Sequence, residues 1–195
     1  MKPASNLLSL LIAVALCGPA RAHDEDVRSV LGKVSFPTSC DPAVQPAFEL
    51  GVAMLHSFWY SAGEQKFREV LKADPHCAIA TWGIASILMS NALAGQGASP
   101  KGAEQAQAAL DEGRRIGAKT ERERDYIEAV AAYYKDFATR SEYDRQVTRA
   151  RAYEALAQRY PADDEAQIFY AITLNVAASP NDKTYANQLK GAAIL

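Results

Sequence analysis

Apolar side chains recur at intervals of three and four positions from about residue 42 to the end of the 195-residue chain. This spacing places them on one face of an α-helix, whereas a half-buried strand alternates apolar and polar residues at every second position. No segment alternates cleanly, and glycine and proline divide the pattern at regular places. The pattern predicts an all-α fold with helices over residues 43–60, 62–73, 77–92, 100–116, 120–137, 141–159, 163–178 and 182–195.

Several predicted helices begin with residues that favour a helix start. Asp41-Pro42 and Ser99-Pro100 each place a capping side chain before a proline, whose fixed φ suits the first turn. Thr120 and Glu123 have the spacing of a capping box, in which each side chain bonds the backbone N–H of the other residue. These signals support the predicted boundaries.

The predicted helices form pairs, and the first pair carries a specific set of residues. Leu50-Gly51 lies in its first helix, Tyr60 at the turn, Phe67 in its second helix and Asp74-Pro75 at its end. This set resembles the tetratricopeptide repeat, a helix-turn-helix unit of about 34 residues. The segments around Tyr60 and Asp74-Pro75 are similar to those of a group of exported bacterial tetratricopeptide-repeat proteins.

Later pairs resemble the repeat more weakly. Ala85 takes the glycine position of the second unit, and Ala171 takes the small position of the fourth. The third unit, with Tyr126 and Tyr133 seven positions apart, is longer than the family's repeat.

The resemblance implies helix-turn-helix repeats stacked as a right-handed solenoid over residues 42–195. In such a stack small residues let neighbouring helices approach, and Phe67 and Tyr153 fill the gaps between pairs. The alternative is an unrelated antiparallel helical bundle. Because the apolar segment 191–195 ends in mid-helix, we expect the repeat domain to continue beyond this sequence.

The first 22 residues have the features of a secretory signal peptide. Lys2 precedes an apolar run that ends at Cys17, and Ala20-Arg21-Ala22 forms a small-x-small cleavage site. The run is shorter than the about 20 apolar residues that span a bilayer. We therefore favour cleavage over an uncleaved anchor, and also over a lipoprotein anchor at Cys17, because Leu16 is larger than the usual preceding residue.

Cleavage at this site divides the chain into a signal peptide at 1–22, an N-terminal arm at 23–41 and the repeat domain from 42. It also predicts a periplasmic or secreted bacterial protein without stable membrane insertion. The acidic start of the arm, residues 23–26, is expected to be mobile.

Export changes the expected chemistry of the cysteines, because Cys40 and Cys77 remain after cleavage and oxidising compartments favour disulfides. In paired-helix repeats the first helices of neighbouring units run parallel, so these two cysteines, each just before such a helix, lie at the same end. We predict one disulfide between them, with two buried free thiols as the alternative. Zinc binding is not expected, since no histidine lies at ligand spacing from both.

Composition excludes some partners. Hydrophobic residues make up 49% of the chain and charged residues 23%, which is typical of a folded domain. The formal net charge of −2 leaves no basic excess to hold a nucleic acid.

Motifs of catalysis are absent from the sequence. It has no glycine-rich phosphate loop, no Gly-x-Ser-x-Gly and no His-Glu-x-x-His. We therefore expect no enzymatic activity, no catalytic residues, no cofactor and no metal site. A metal-binding protein that uses His23 or His56 is the weaker alternative.

The resemblance implies a concave groove, lined by the first helix of each pair, that holds an extended peptide or a helix of a partner protein. The family's best-known clamp for acidic tails uses Asn and Lys, whereas the corresponding positions here include Glu49, Val52, Gly83 and Ser86. We therefore expect an apolar peptide or helix segment. The expected lining is Phe48, Val52, Leu55, His56, Trp82, Ser86, Met89, Ile127, Tyr134, Ile168 and Asn175.

Two functions remain open at this point. The first is an exported interaction module that scaffolds other envelope proteins. The second is an accessory or regulatory domain of a larger envelope enzyme or transport protein, whose catalytic part lies outside this sequence.

Overall fold

The computed structural model describes residues 30–195, and within them it contains eight complete α-helices and no β-strand. The helices are α1 (Gln45–His56), α2 (Tyr60–Ala73), α3 (Ala80–Leu88), α4 (Pro100–Ile116), α5 (Glu121–Tyr134), α6 (Glu142–Arg159), α7 (Asp164–Val176) and α8 (Ala186–Ile194). A short 3₁₀ helix, Ala92–Ala94, follows α3. The predicted all-α fold is confirmed, while the predicted signal peptide and the acidic start of the arm lie outside the described residues.

Several predicted helices are shorter than expected, and for two of them a residue with a left-handed backbone stands just after the observed end. The first ends at His56 because Phe58 adopts a φ of 61°, in the left-handed region. The third ends at Leu88, before Ser90 with a φ of 67°. Neither residue is glycine, so no sequence rule for helix ends marked them.

Two of the three predicted caps form, while α1 begins at Gln45 without a side-chain cap, so Asp41 does not cap it. Ser99 Oγ accepts a hydrogen bond from the backbone N–H of Gly102 at 3.0 Å, and Thr120 Oγ1 accepts one from that of Glu123 at 3.2 Å. The side chain of Glu123 does not complete the capping box. It accepts hydrogen bonds from Ser39 instead, at 2.5 Å from the backbone N–H and at 2.6 Å from the hydroxyl.

Helix packing follows the order of the chain. Contacts join α1 to α2, α3 to α4, α5 to α6 and α7 to α8, and each of these pairs also contacts the next pair. In addition α3 contacts both α1 and α5. The third helix therefore lies in the middle of the first half of the molecule.

An aromatic core surrounds the indole of Trp82 on α3. This side chain is fully buried, and its Nε1 donates a hydrogen bond to the Tyr153 hydroxyl on α6 at 2.9 Å. Ring centroids within 6.4 Å of it belong to Phe36, Phe48, Phe67, Tyr126 and Phe169. These residues come from four helices and from the segment before α1, so one cluster joins distant parts of the chain.

Phe36 shows that the described end of the N-terminal arm belongs to the core. Its side chain is fully buried, and the Arg122 guanidinium lies 4.5 Å above its ring. Arg122 also donates a hydrogen bond to the carbonyl of Pro37 at 2.8 Å. Residues 36 and 37 therefore pack with the helical domain, although the predicted boundary at residue 41 separates them from it. The sequence did not indicate this packing, because a single apolar residue in an irregular segment has no periodicity.

A close helix contact is present at Gly51, as predicted, and a second one occurs at Gly83. A Cβ on Gly51 would lie 3.0 Å from the ring of Phe67, and a Cβ on Gly83 would lie 2.5 Å from it. Phe67 is fully buried between these two helices. Gly83, rather than Ala85, is thus the small residue of α3 that faces Phe67.

The predicted disulfide between Cys40 and Cys77 is present, with the two Cα atoms 4.8 Å apart. Asp74 holds the same two loops together. Its carboxylate accepts hydrogen bonds from the backbone N–H groups of Asp41 at 2.8 Å and His76 at 3.0 Å. The segment before α1 therefore approaches α3 closely enough for the sulfur atoms to bond.

Across residues 30–195, none of the helices combines the length and the apolar character that crossing a membrane would require.

Candidate functional site

Most of the residues expected to line an open groove are in the interior. Buried in the structure are Phe48, Val52, Trp82, Ser86, Met89, Ile127 and Tyr134. Leu55, His56 and Ile168 are partly exposed, and Asn175 is exposed. The expectation that all eleven form one accessible surface therefore needs correction, because the buried seven contact other parts of this chain.

Different contacts bury these residues: Trp82 and Phe48 lie in the aromatic core, and the Tyr134 hydroxyl donates to the carbonyl of Ala85. A further contact joins the first and the seventh helix. His56 at the end of α1 lies 2.8 Å from a carboxylate oxygen of buried Glu165 on α7, and its ring stacks on Phe169 with centroids 5.1 Å apart. Side chains of the protein itself therefore occupy much of the expected groove.

A cavity of about 70 Å³ remains beside this contact. It lies between α1, the loops after α1 and α3, α6 and α7. Its wall combines apolar and polar side chains, namely Leu55, His56, Phe58, Tyr60, Ser86, Met89, Ser90, Asn91, Ala92, Leu93, Arg149, Phe169, Ile172 and Val176. Four of the residues predicted for the groove therefore meet here: Leu55, His56, Ser86 and Met89.

Arg149 on α6 is the buried cation of this cavity, with 6% of the residue exposed. One guanidinium nitrogen donates to the neutral Gln146 carboxamide at 3.2 Å, while Nε has no hydrogen-bond partner. No Asp or Glu within residues 30–195 forms an ion pair with it. The nitrogen of the Gln146 carboxamide donates to Glu142, and that carboxylate already forms an ion pair with Arg145.

The phenols near Arg149 supply no negative charge. Burial raises the pKa of Tyr153 and of Tyr60, although the positive charge of Arg149 opposes the rise in both cases. Burial also raises the pKa of Tyr134 well above its ordinary value. These three groups therefore stay neutral near pH 7 and supply no negative charge to Arg149.

Two residues that line the cavity expose apolar surface, since half of Phe58 and 44% of Leu93 are exposed. Trp59, next to Phe58 in the chain, is also half exposed but does not line the cavity. Phe58 and Ser90, which both line the cavity, are the residues whose left-handed backbone ends α1 and precedes the 3₁₀ helix. Non-glycine residues in this conformation cost free energy and concentrate at ligand sites.

A wider hollow, of about 670 Å³, lies between the N-terminal arm, α5 and the start of α7, and both arginines that line it are paired. Arg122 lies 2.6 Å from Asp163, and Arg159 lies within 2.7 Å of both Glu121 and Asp125. These two guanidinium groups are therefore already neutralised by carboxylates of the protein.

Among residues 30–195 one group of possible metal ligands lies close together, formed by Cys40, Asp74 and Cys77. Its two sulfur atoms are bonded to each other, which removes both thiolates as ligands. His56 lies against Glu165, and His23 is outside the described residues.

Sequence reasoning missed Arg149 because arginine on a predicted helix is ordinarily solvent-exposed. The one signal in the sequence is helical periodicity. It places Arg149 on the same face of α6 as buried Tyr153, four positions on, and places Arg151 on a different face.

Comparisons of the chain with protein-family models, with curated proteins and with solved structures find no match.

Proposed function

We propose that this protein is an exported interaction module of the tetratricopeptide-repeat type, which binds an apolar segment of another envelope protein. The proposed contact surface is the exposed rim of the cavity, formed by Phe58, Trp59 and Leu93, together with partly exposed Leu55. The observation that carries the proposal is the exposure of two neighbouring aromatic rings beside an open cavity. Exposed aromatic side chains are frequent anchors at protein interfaces.

Export is supported by two features. The sequence begins with the signal-peptide pattern, and the Cys40–Cys77 disulfide matches an oxidising compartment. The solenoid arrangement is supported by the packing of each helix pair on the next and by the contact of α3 with both α1 and α5.

An accessory domain of a larger envelope enzyme or transporter is the second candidate. It uses the same apolar rim, with a domain of its own protein in place of a separate partner. The sequence of the complete reading frame separates the two candidates, since only the accessory domain requires a catalytic or transport domain in the same chain.

Affinity capture from native envelope extract, followed by mass spectrometry, tests the rim as a binding surface. We expect Trp59→Ala and Leu93→Ala to weaken capture of the same partner by about tenfold or more, because exposed anchors lose their buried contact area. Tyr143→Ala is the matched control, since Tyr143 is 48% exposed but lies on α6 and does not line the cavity. Capture should depend weakly on salt, because the rim residues are uncharged.

The proposal fails if the two rim variants capture the partner as well as the Tyr143→Ala control does. A steep loss of capture with rising salt contradicts it too, because that result indicates binding through exposed charges.

A further inference from the structure

We infer that the cavity behind the apolar rim is a binding site for a small organic acid, whose carboxylate pairs with Arg149 and whose short apolar stem contacts the apolar wall. This site goes beyond the proposed partner surface, because the ligand is a free small molecule inside the cavity.

Arg149 is a buried cation without an ionic partner among the described residues. A charged group taken out of water lowers stability unless it is paired or fully hydrogen-bonded. Arg149 has one hydrogen bond to a neutral carboxamide, lies 5.6 Å from the ring centroid of Tyr153, and has an Nε without a hydrogen-bond partner and no ion pair in the described chain. The ring leaves the charge without an anionic partner, which a bound anion would supply.

The shape of this anion follows from the geometry of the guanidinium. A guanidinium presents its donors in a planar fork, which matches the two oxygens of a carboxylate. The wall adds the hydroxyl of Ser86 and the carboxamide of Asn91, whose oxygen already caps the 3₁₀ helix and whose nitrogen is a donor. These donors favour a compact anion over a cation.

The volume and the wall of the cavity limit the size and the polarity of this ligand. A volume of about 70 Å³ corresponds to roughly two to three waters at liquid density, which suits a small carboxylate with a short stem. Met89, Phe169, Ile172 and Val176 supply apolar contacts for that stem. Inorganic anions lack a stem and would leave this part of the wall without contacts.

No titratable group on the neighbouring helices supplies the negative charge that Arg149 lacks. Glu165 on α7 lies against His56, and Tyr60 on α2 remains neutral. Tyr153 on α6 accepts its hydrogen bond from Trp82. Arg149 is therefore the group left to bind an anion.

Thermal unfolding of the intact protein with butyrate and with butyramide tests the inference. The two probes have nearly the same size, but only butyrate carries a negative charge. We expect butyrate to raise the Tm, because a ligand that binds only the folded state stabilises it, and butyramide to leave the Tm unchanged. Calorimetric titration should give a dissociation constant for butyrate roughly ten- to a hundredfold lower than for butyramide.

Arg149→Met supplies a second readout. We expect the free variant to unfold at a higher temperature than the free wild type, because an apolar side chain of similar length replaces an unpaired buried charge. Its Tm should no longer respond to butyrate. Arg151→Met is the matched control, since Arg151 is exposed on the same helix, and it should respond as the wild type does.

The inference is overturned if wild-type protein responds equally to butyrate and butyramide or to neither, or if Arg149→Met keeps the butyrate response. The comparison of acid and amide uses the wild type, so it remains decisive even where a variant does not fold. Trp59→Ala separates this site from the partner surface. Trp59 does not line the cavity, and its loss should impair partner capture while leaving the butyrate response intact.

Discussion

Trp82 shows how far the role of one residue depends on neighbours that are distant in sequence. The repeat pattern predicts that Trp82 lies on the first helix of a pair and faces the groove. Tryptophan is also frequent among interface anchors, so the sequence makes Trp82 a candidate binding residue. In the folded chain it lies among aromatic rings from α1, α2, α5 and α7 and donates to Tyr153. A substitution at Trp82 therefore tests core stability and carries no specific information about binding.

The charge of the Asp74 carboxylate is expected to stabilise the fold. The backbone N–H of Asp41 donates to its carboxylate and holds the pKa below the ordinary value of 3.8, more strongly than burial raises it. A carboxyl group whose folded pKa is lowered stabilises the fold above its unfolded pKa, and that contribution disappears as the pH falls through the folded value. We expect Asp74→Asn to destabilise the protein by about 1–3 kcal/mol at pH 7.

Urea unfolding of wild type and Asp74→Asn from pH 7 to pH 2 measures this contribution. The difference between the two proteins should stay constant down to about pH 4 and then shrink, because both side chains are uncharged in strong acid. Asp136→Asn, at an exposed position, is the control, and it should change the free energy of unfolding little. A difference that does not change with pH would contradict the assigned role of the charge.

At the scale of helices, the approach of α1, α2 and α3 depends on glycine. Phe67 of α2 lies against Gly51 on one neighbouring helix and Gly83 on the other. Glycine lowers helix stability by roughly 1 kcal/mol relative to alanine, so its presence inside two helices has a steric reason. The ring of Phe67 occupies the place that each Cβ would take.

Gly83→Ala is the matching prediction. Its Cβ would lie 2.5 Å from three ring atoms of Phe67, which is fully buried and cannot turn away freely. We expect a net loss of about 1–2 kcal/mol in urea unfolding, because overpacking outweighs the gain in helix propensity.

Gly63→Ala serves as the control for that substitution. There the nearest atom is the terminal methyl carbon of Ile87, 2.9 Å from the new Cβ, and this flexible side chain can move. The control should therefore cost less than Gly83→Ala. Equal stability of Gly83→Ala and wild type would disprove the proposed packing role.

The whole molecule is held together by contacts between segments far apart in the chain. The Cys40–Cys77 bond closes a loop of 37 positions and ties the N-terminal arm to the start of α3. The arm also places Phe36 in the aromatic core and Ser39 on the buried Glu123 carboxylate. At the other end of α1, His56 contacts Glu165 and so joins α1 to α7.

Removal of the disulfide is the prediction at this scale. We expect reduction, or the double substitution Cys40→Ala and Cys77→Ala, to lower the free energy of unfolding by about 4 kcal/mol, from the chain entropy of a loop of this size. Urea unfolding with and without reductant measures the loss, and non-reducing peptide mapping identifies the joined peptides. The double variant should be indifferent to reductant, and a wild type equally stable when reduced would contradict the prediction.

Sequence alone predicted the all-α class, the approximate bounds of the eight complete helices within residues 30–195, and the pairing of Cys40 with Cys77. These features follow from local rules, since helical periodicity, caps and breaks act within a few residues. The small residue Gly51 and the packing residue Phe67 were found for the same reason, because they lie within one repeat unit. The early helix ends before Phe58 and Ser90 were missed, because neither residue is of a type that usually adopts a left-handed backbone.

Tertiary structure alone decided which of the expected groove residues remain accessible. The contact of His56 with Glu165 joins positions 109 apart, and no local pattern contains that information. The burial of Phe36 and the unpaired charge of Arg149 are also products of several segments meeting, since neither neighbouring sequence differs from an ordinary loop or helix surface. Helices thus follow from interactions between near neighbours in the chain, whereas the cavity and its charge follow from how those helices close around one another.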